Sequence, residues 1–178
     1  KLGNSPGVVG AAQAPIGRDT EAVRSEAADA EPQADTDTAR QLPGGPLEGI
    51  RVLDFGLAVA GPFGAQLLSD LGAEVIKIEP PAKDGEGGGD YARVLGPYWF
   101  DNGESQWFHA YNRNKKSLTL DLESTEGRAV LLDLVASADA LTSNLRGDVP
   151  EKLGLTCTRL KAVNAKIVCA RRRPVSIA

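Results

Sequence analysis

The stretch GLAVAGPFGAQLLSDLGAEVIKIE, residues 56–79, decides the fold. It follows the apolar run GIRVLDF (residues 49–55), which is bounded by Gly49 and Gly56 and reads as a short strand. Pro62 falls where a first helical turn tolerates proline, and Ala65, Leu67, Leu68 and Leu71 recur at helical spacing. Gly72 suits the position just past a helix end, and EVIKIE (residues 74–79) reads as a second strand. Strand, helix and strand in so short a span predict a βαβ unit with parallel strands and a right-handed crossover.

The same alternation continues downstream. ESQWFHAYN (residues 104–112) predicts a short helix, and SLTLDL (residues 117–122) a strand with period-two alternation. Ser124 is placed to cap a helix whose Val130, Leu131, Leu134, Val135 and Ala138 share a face. DALTSN (residues 139–144) predicts a further parallel strand. Short helices around residues 151–153 and 158–163 then precede a last strand, KIVC (residues 166–169). The predicted class is α/β, an open, mainly parallel, Rossmann-like sheet. Between the second strand and residue 103 runs PPAKDGEGGGDYARVLGPYWFDNG, a loop long enough to suggest a functional or mobile segment.

Upstream the pattern is absent. EAVRSEAADAEPQADTDTARQLPGG (residues 21–45) has almost no large apolar residue, so a linker is expected. A short helix with Asp19 as its N-cap is the one element expected there. The formal net charge of −4 supplies no broad basic field, which argues against nucleic acid as a partner. No apolar run reaches the roughly 20 residues of a membrane span, so no membrane partner is expected. The two cysteines, Cys157 and Cys169, stand without a CxxC or a Cys/His cluster. They read as apolar fillers, with no metal site, in a reducing cytoplasm. The chain begins at Lys1 and contains no Met, so it reads as a piece of a longer or processed protein.

In an open parallel sheet, ligands bind beyond the carboxyl ends of the strands. Those ends are residues 56–61, 79–81 and 143–146. The turn before Pro62 offers backbone N–H groups at a helix N-terminus, an anion site, unless Gly61 and Gly64 serve only close packing. Glu79 is placed to hold a ribose, as in NAD enzymes, but the G-x-G-x-x-G fingerprint is missing. Arg113, Lys115 and Lys116, flanked by Asn112 and Asn114, either face an anion or lie solvated on the surface. His109, the only histidine, has no visible partner and reads as packed or superficial.

Five stretches together resemble the family III CoA-transferases, the CaiB/BaiF group that includes formyl-CoA transferase and α-methylacyl-CoA racemase. They are PLEGIRVLDF (46–55), AGPFGAQLLSDLGAEVIKIEPP (60–81), GESQWFHAYNRNKKSLTLDL (103–122), EGRAVLLDLVASADAL (126–141) and SNLRGDVPEKLGL (143–155). The resemblance covers residues 46 to about 168 and implies an incomplete large domain of that family. In this family the opening turn and its neighbours hold the ADP end of coenzyme A, which explains the missing dinucleotide fingerprint.

By position, the resemblance implies that Ala58 and Val59 line the nucleotide and that Leu120 and Leu122 form the apolar pair beside the adenine. Pro80 stands where relatives often place an Arg, and Glu123 where a Lys is frequent. Asn144 and Leu145 match an Asn-Phe pair, Arg146 follows in the same loop, and Lys152 replaces an Arg near the phosphates. CoA or acyl-CoA is then a substrate, a carboxylic acid its acceptor, and no cofactor is held permanently. The family's transferases attack the thioester with an Asp carboxylate that follows the KIVC strand and a Gly-rich segment. Here the chain reads KIVCARRRPVSIA (166–178), so no catalytic residue is expected within it and the Asp is expected beyond Ala178.

The implied function is therefore the CoA-binding front half of an acyl-CoA:carboxylate CoA-transferase, inactive by itself. A racemase-type member and a non-catalytic CoA-binding or interaction module are the alternatives. Residues 171–178 depart from the family pattern and suggest a frameshifted or artificial end. KLGNSPGVVGAAQAPIGRDTEAV (1–23) is similar to the family's own C-terminal tail. The expected layout is a preceding unit's tail over residues 1–24, a disordered linker over 25–45, the CoA-binding part over 46–170 and a divergent end. The family's interlocked dimers imply an interlocked homodimer or a tandem pseudo-dimer for the parent.

Overall fold

The computed structural model describes residues 15–28, 45–83 and 87–171. Expectations for residues 1–14, 29–44 and 172–178 lie outside them. Five parallel strands form one sheet: β1 (Arg51–Phe55), β2 (Glu74–Glu79), β3 (Lys115–Thr119), β4 (Ala140–Ser143) and β5 (Val168–Arg171). Their order is β3-β2-β1-β4-β5. The chain runs outward from β1 through β2 to β3, then returns to the other side of β1. The switch point, where ligand crevices open in such sheets, lies between β1 and β4.

Alternation along β1 assigns its side chains to two layers. Leu53 joins Ile76, Leu118, Leu131, Leu134 and Leu160 in the main core, beneath α4 (Thr125–Ala136) and α6 (Cys157–Val163). Val52 and Val75 instead meet Ala65 of α2 (Ala60–Asp70) in a smaller cluster. With both faces covered, strands read as unbroken apolar runs, which is why β1 and β2 were legible.

The helices depart from the apolar-face reading at α2. Its buried residues are Pro62, Ala65, Gln66 and Ser69, whereas Leu67 is 48% exposed. Local bonds hold the Ser69 hydroxyl and the Gln66 nitrogen, while the buried Gln66 Oε1 has no hydrogen-bond partner among the described residues. The Ser69 hydroxyl donates to Gln66 O at 2.7 Å, and the Gln66 amide donates to Asp70 at 2.9 Å. Gly72 follows the Leu71 C-cap with φ +101°, the left-handed conformation expected just past a helix end. In α4 the Ser124 hydroxyl accepts from Gly127 N–H at 3.0 Å, as predicted. Leu131, Leu134 and Val135 are buried there, with Val130 packed at the margin. The remaining short helices are α3 (Gln106–Asn112), capped by Ser105, and α5 (Val149–Lys152).

Two strands shift from their expected ranges. β3 begins two residues early, at Lys115, because the Lys115 ammonium is neutralised inside the fold (below). β5 begins two residues late and continues through Arg171. The Arg171 guanidinium donates to Gly147 O at 2.9 Å and pairs with Glu151 at 3.5 Å, so the first arginine of that run belongs to the sheet.

The short helix expected after Asp19 is present, but its packing differs from a linker's. Helix α1 (Thr20–Ala28) crosses the boundary drawn at residue 24, and Val23 is buried in the main core. Asp19 does precede the helix, but its carboxylate accepts from the Ser117 N–H at 3.1 Å and from Arg18. The Asp19 N–H donates to Ser117 O at 3.2 Å and Thr119 N–H donates to Thr20 Oγ1 at 3.1 Å. The segment thus occupies the hydrogen-bonding edge of β3, an edge that would otherwise invite foreign strands.

Candidate functional site

The β1–α2 turn is held from beneath by buried charges. Asp54, the penultimate residue of β1, is inaccessible to solvent, and its carboxylate accepts from Gly56 N–H at 2.8 Å and from Thr142 Oγ1 at 3.1 Å. Lys115 Nζ donates to the same carboxylate at 2.8 Å, to Pro62 O at 2.8 Å and to Asn112 Oδ1 at 3.0 Å. Burial lowers the Lys115 ammonium to about 8, with Asp54 opposing. For Asp54 burial acts upward, but the Lys115 and Lys77 ammoniums hold it below the ordinary carboxylate range. Both partners therefore stay charged at neutral pH.

A second buried pair, Lys77–Asp90, stands beside the first. Lys77 Nζ reaches Gly56 O at 2.7 Å and Asp90 at 3.0 Å. Asp90 accepts from the Ala58 N–H at 3.1 Å and from the Ala92 N–H at 3.0 Å. Ala58 has φ +62°, a conformation that costs a non-glycine residue on the order of 1–3 kcal/mol. The Asp90 carboxylate fixes it there. Asn144 closes the turn from β4, accepting from Leu57 N–H at 2.8 Å and donating to Leu57 O at 3.0 Å.

These bonds commit the first half of the turn expected as an anion site. The N–H groups of Gly56, Leu57 and Ala58 are engaged by Asp54, Asn144 and Asp90. The packing alternative holds for Gly61, where a Cβ would come within 2.6 Å of Gly56 Cα and 2.7 Å of Asn144. It does not hold for Gly64, whose Cβ position is open.

Glu79 is likewise committed, not available to a ribose. It is buried, accepts from Arg93 at 2.9 and 2.6 Å, from Asp90 N–H at 2.8 Å and from Ser117 Oγ at 3.0 Å. Burial pushes its carboxyl upward, but Arg93 and Lys77 more than offset this and hold it below the usual range. The basic cluster disperses too. Lys115 is internal, Lys116 pairs with Glu74 at 2.6 Å and Glu26 at 3.2 Å, and Arg113 binds Asp70. His109 has the partner that sequence did not reveal: its Nε2 lies 2.8 Å from Glu104, with Phe100 against the ring.

Above this network, at the carboxyl ends of β1, β2 and β3, lies an apolar cleft of about 340 Å³. Pro80, Leu120, Leu122 and Leu145 of the expected contacts line it, joined by Phe55, Leu57 and Tyr91. Lys83 and Glu123 pair across its rim at 2.9 Å. Ala58 and Val59 are in the bracing turn and do not line the cleft. Asn144 serves as the clamp on Leu57, while Arg146 is exposed beside Leu145 with no ion pair among the described residues. Lys152 is exposed and pairs with Asp148 at 2.7 Å. Lys77, Asp90 and Arg93 escaped the sequence reading, although a lysine amid the apolar EVIKIE and an aspartate opening a turn were visible signals. Among the described residues no group of three or more His, Cys, Asp or Glu is placed to hold a metal, and no helix is long and apolar enough to cross a membrane.

The parallel sheet with its cleft beyond the strand ends defines a Rossmann-like α/β domain. Comparison with known proteins places it further: residues 47–173 match the model of CoA-transferase family III, and the chain belongs to that family. An acetyl-CoA:oxalate CoA-transferase of Acetobacter aceti is 40% identical over 135 residues, 76% of this chain and 33% of that protein. A succinyl-CoA–D-citramalate CoA-transferase of Chloroflexus aurantiacus is 42% identical over 131 residues, 74% of this chain and 31% of its own. The crystal structure of a CaiB/BaiF family protein from Brucella suis superposes with a TM-score of 0.64 at 38% identity, covering 71% of this chain and 33% of that one. The chain spans about one third of the length of these relatives.

Proposed function

We propose that this chain is the CoA-binding front half of an acyl-CoA:carboxylate CoA-transferase, its cleft receiving the nucleotide end of coenzyme A. The observation that carries the reading is the apolar cleft at the strand ends, which gathers Pro80, Leu120, Leu122 and Leu145 from the three segments that follow β2, β3 and β4. Apolar walls suit the adenine ring, and the exposed Arg146 beside Leu145 supplies positive charge for a phosphate. Lys152 can join it only by leaving Asp148.

In this reading acyl-CoA and a carboxylic acid are the parent's substrates, and the nucleophilic carboxylate lies outside these residues. The named activities of the Acetobacter and Chloroflexus relatives support it. Residues 15–24, the described part of the stretch read as a preceding unit's tail (1–24), are seated along β3 in support of that role, and the parent is then an interlocked or tandem assembly. Its place is the cytoplasm, where CoA thioesters are handled.

Calorimetric titration tests the site. The chain is expected to bind CoA, 3′-phospho-ADP is expected to compete, and pantetheine is not. Arg146→Ala with Lys152→Ala should weaken binding about tenfold, the loss of roughly one charge-assisted contact. Equal affinity in that double variant, or competition by pantetheine alone, contradicts the assignment.

A further inference from the structure

Tyr91 lines the cleft but belongs neither to the contacts expected from the sequence nor to the bracing network. It opens a single 3₁₀ turn, Tyr91–Val94, within the long loop after β2. Its neighbours Asp90 and Ala92 are buried, at 0% and 1% exposed, whereas Tyr91 is 55% exposed. The backbone that carries the ring is pinned on every side. The Asp90 carboxylate accepts from Ala92 N–H at 3.0 Å and from Lys77 at 3.0 Å, and Arg93 N–H donates to Asp90 O at 2.9 Å. Glu79 grips the Arg93 guanidinium, which lies 3.9 Å from the centre of the Phe108 ring. Gly89 N–H donates to Pro80 O at 2.9 Å, so the turn is also tied back to the end of β2.

Phe55, the other aromatic residue of the lining, is buried in the main core. Most of the remaining wall is aliphatic, with Ile78, Pro80, Leu120 and Leu122 among it. A rigid turn therefore presents one solvent-accessible aromatic ring to an apolar slot. An aromatic face held in this way adds stacking to the burial of a planar heteroaromatic ring, and does so whatever the base.

We propose that Tyr91 is the platform on which the base of the bound nucleotide stacks, with Leu120 and Leu122 completing the slot. The inference rests on the cleft being the nucleotide site, and it names the residue that orients the base there. The ring face performs this role, so the hydroxyl is dispensable. Because the side chain is exposed, replacing it leaves the core intact.

The test follows the adenine H2 and H8 protons of coenzyme A by NMR with the 178-residue chain, and its affinity by calorimetry, alongside Tyr91→Phe and Tyr91→Leu. With the unsubstituted chain and with Tyr91→Phe, both protons are expected to move upfield under the ring, at equal affinity. Tyr91→Leu is expected to lose that upfield movement and to bind about tenfold more weakly, with its urea midpoint unchanged. Adenine protons that do not move upfield when coenzyme A binds the unsubstituted chain would overturn the role of Tyr91 and leave the cleft reading standing. Equal affinity in Tyr91→Leu, or a loss in Tyr91→Phe as large as in Tyr91→Leu, would do the same. No binding of coenzyme A by the unsubstituted chain would overturn both.

Discussion

At the scale of single residues, the cleft rests on charges that do not line it. Lys115, Asp54, Lys77 and Asp90 are buried as two pairs whose remaining polar atoms are met by Gly56, Thr142, Pro62, Asn112, Ala58 and Ala92. A buried ion pair can be nearly neutral as a pair, but removing one member strands the other. Asp54→Asn is therefore expected to lose about 3–5 kcal/mol in urea unfolding. Asp54→Leu with Lys115→Met should recover most of that loss, and a double variant as weak as the single would contradict the pairing.

Acid tests the same network. Glu79 is held below its ordinary 4.5 in the fold, so its stabilisation is complete above that value. As pH falls below 4.5 the unfolded chain takes up a proton first, and the contribution is gone once the pH passes the depressed folded value. Unfolding midpoints should thus decline below pH 4.5, and less steeply in Glu79→Gln. An identical slope in that variant would show that Glu79 is not so held.

Elements differed in how much of them the sequence disclosed. β1, β2 and α4 were legible because burial on both faces, or on one helical face, leaves an apolar period. The start of β3 was not, since Lys115 masks a buried position as a polar one until its Asp54 partner is known. The polar face of α2 failed for the same reason, with the Ser69 hydroxyl and the Gln66 nitrogen bonded locally. In residues 15–28 the short helix was legible but its docking was not, because that rests on buried Val23 and on hydrogen bonds to β3, and composition registers neither. Val23→Ala should cost about 1.5–3 kcal/mol, the worth of a buried valine. It should also speed proteolysis within residues 15–28 before the sheet is cut. Unchanged cleavage would mean that the segment is not docked in solution.

For the whole molecule, the fold class was legible and the cleft only partly so. Pro80, Leu120, Leu122 and Leu145 converge because topology brings β2, β3 and β4 to one edge, whereas Ala58 and Asn144 turned out to brace the edge. Elsewhere Phe63, Leu67, Tyr98, Trp99, Phe100 and Trp107 are exposed, all at 40% or more. Solvent-facing aromatics in such number suit a chain that spans a third of its relatives and that, in the proposed parent, packs against the remainder. The most direct measurement is a backbone NMR titration with coenzyme A. Shifts concentrated at Ile78, Leu120, Leu122 and Leu145, with Arg146 following, are the predicted result. Shifts confined to a second groove, lined by Ala60, Gly61, Gly64, Thr142 and Arg171 between α2 and the ends of β4 and β5, or none at millimolar ligand, would contradict the cleft as the nucleotide site.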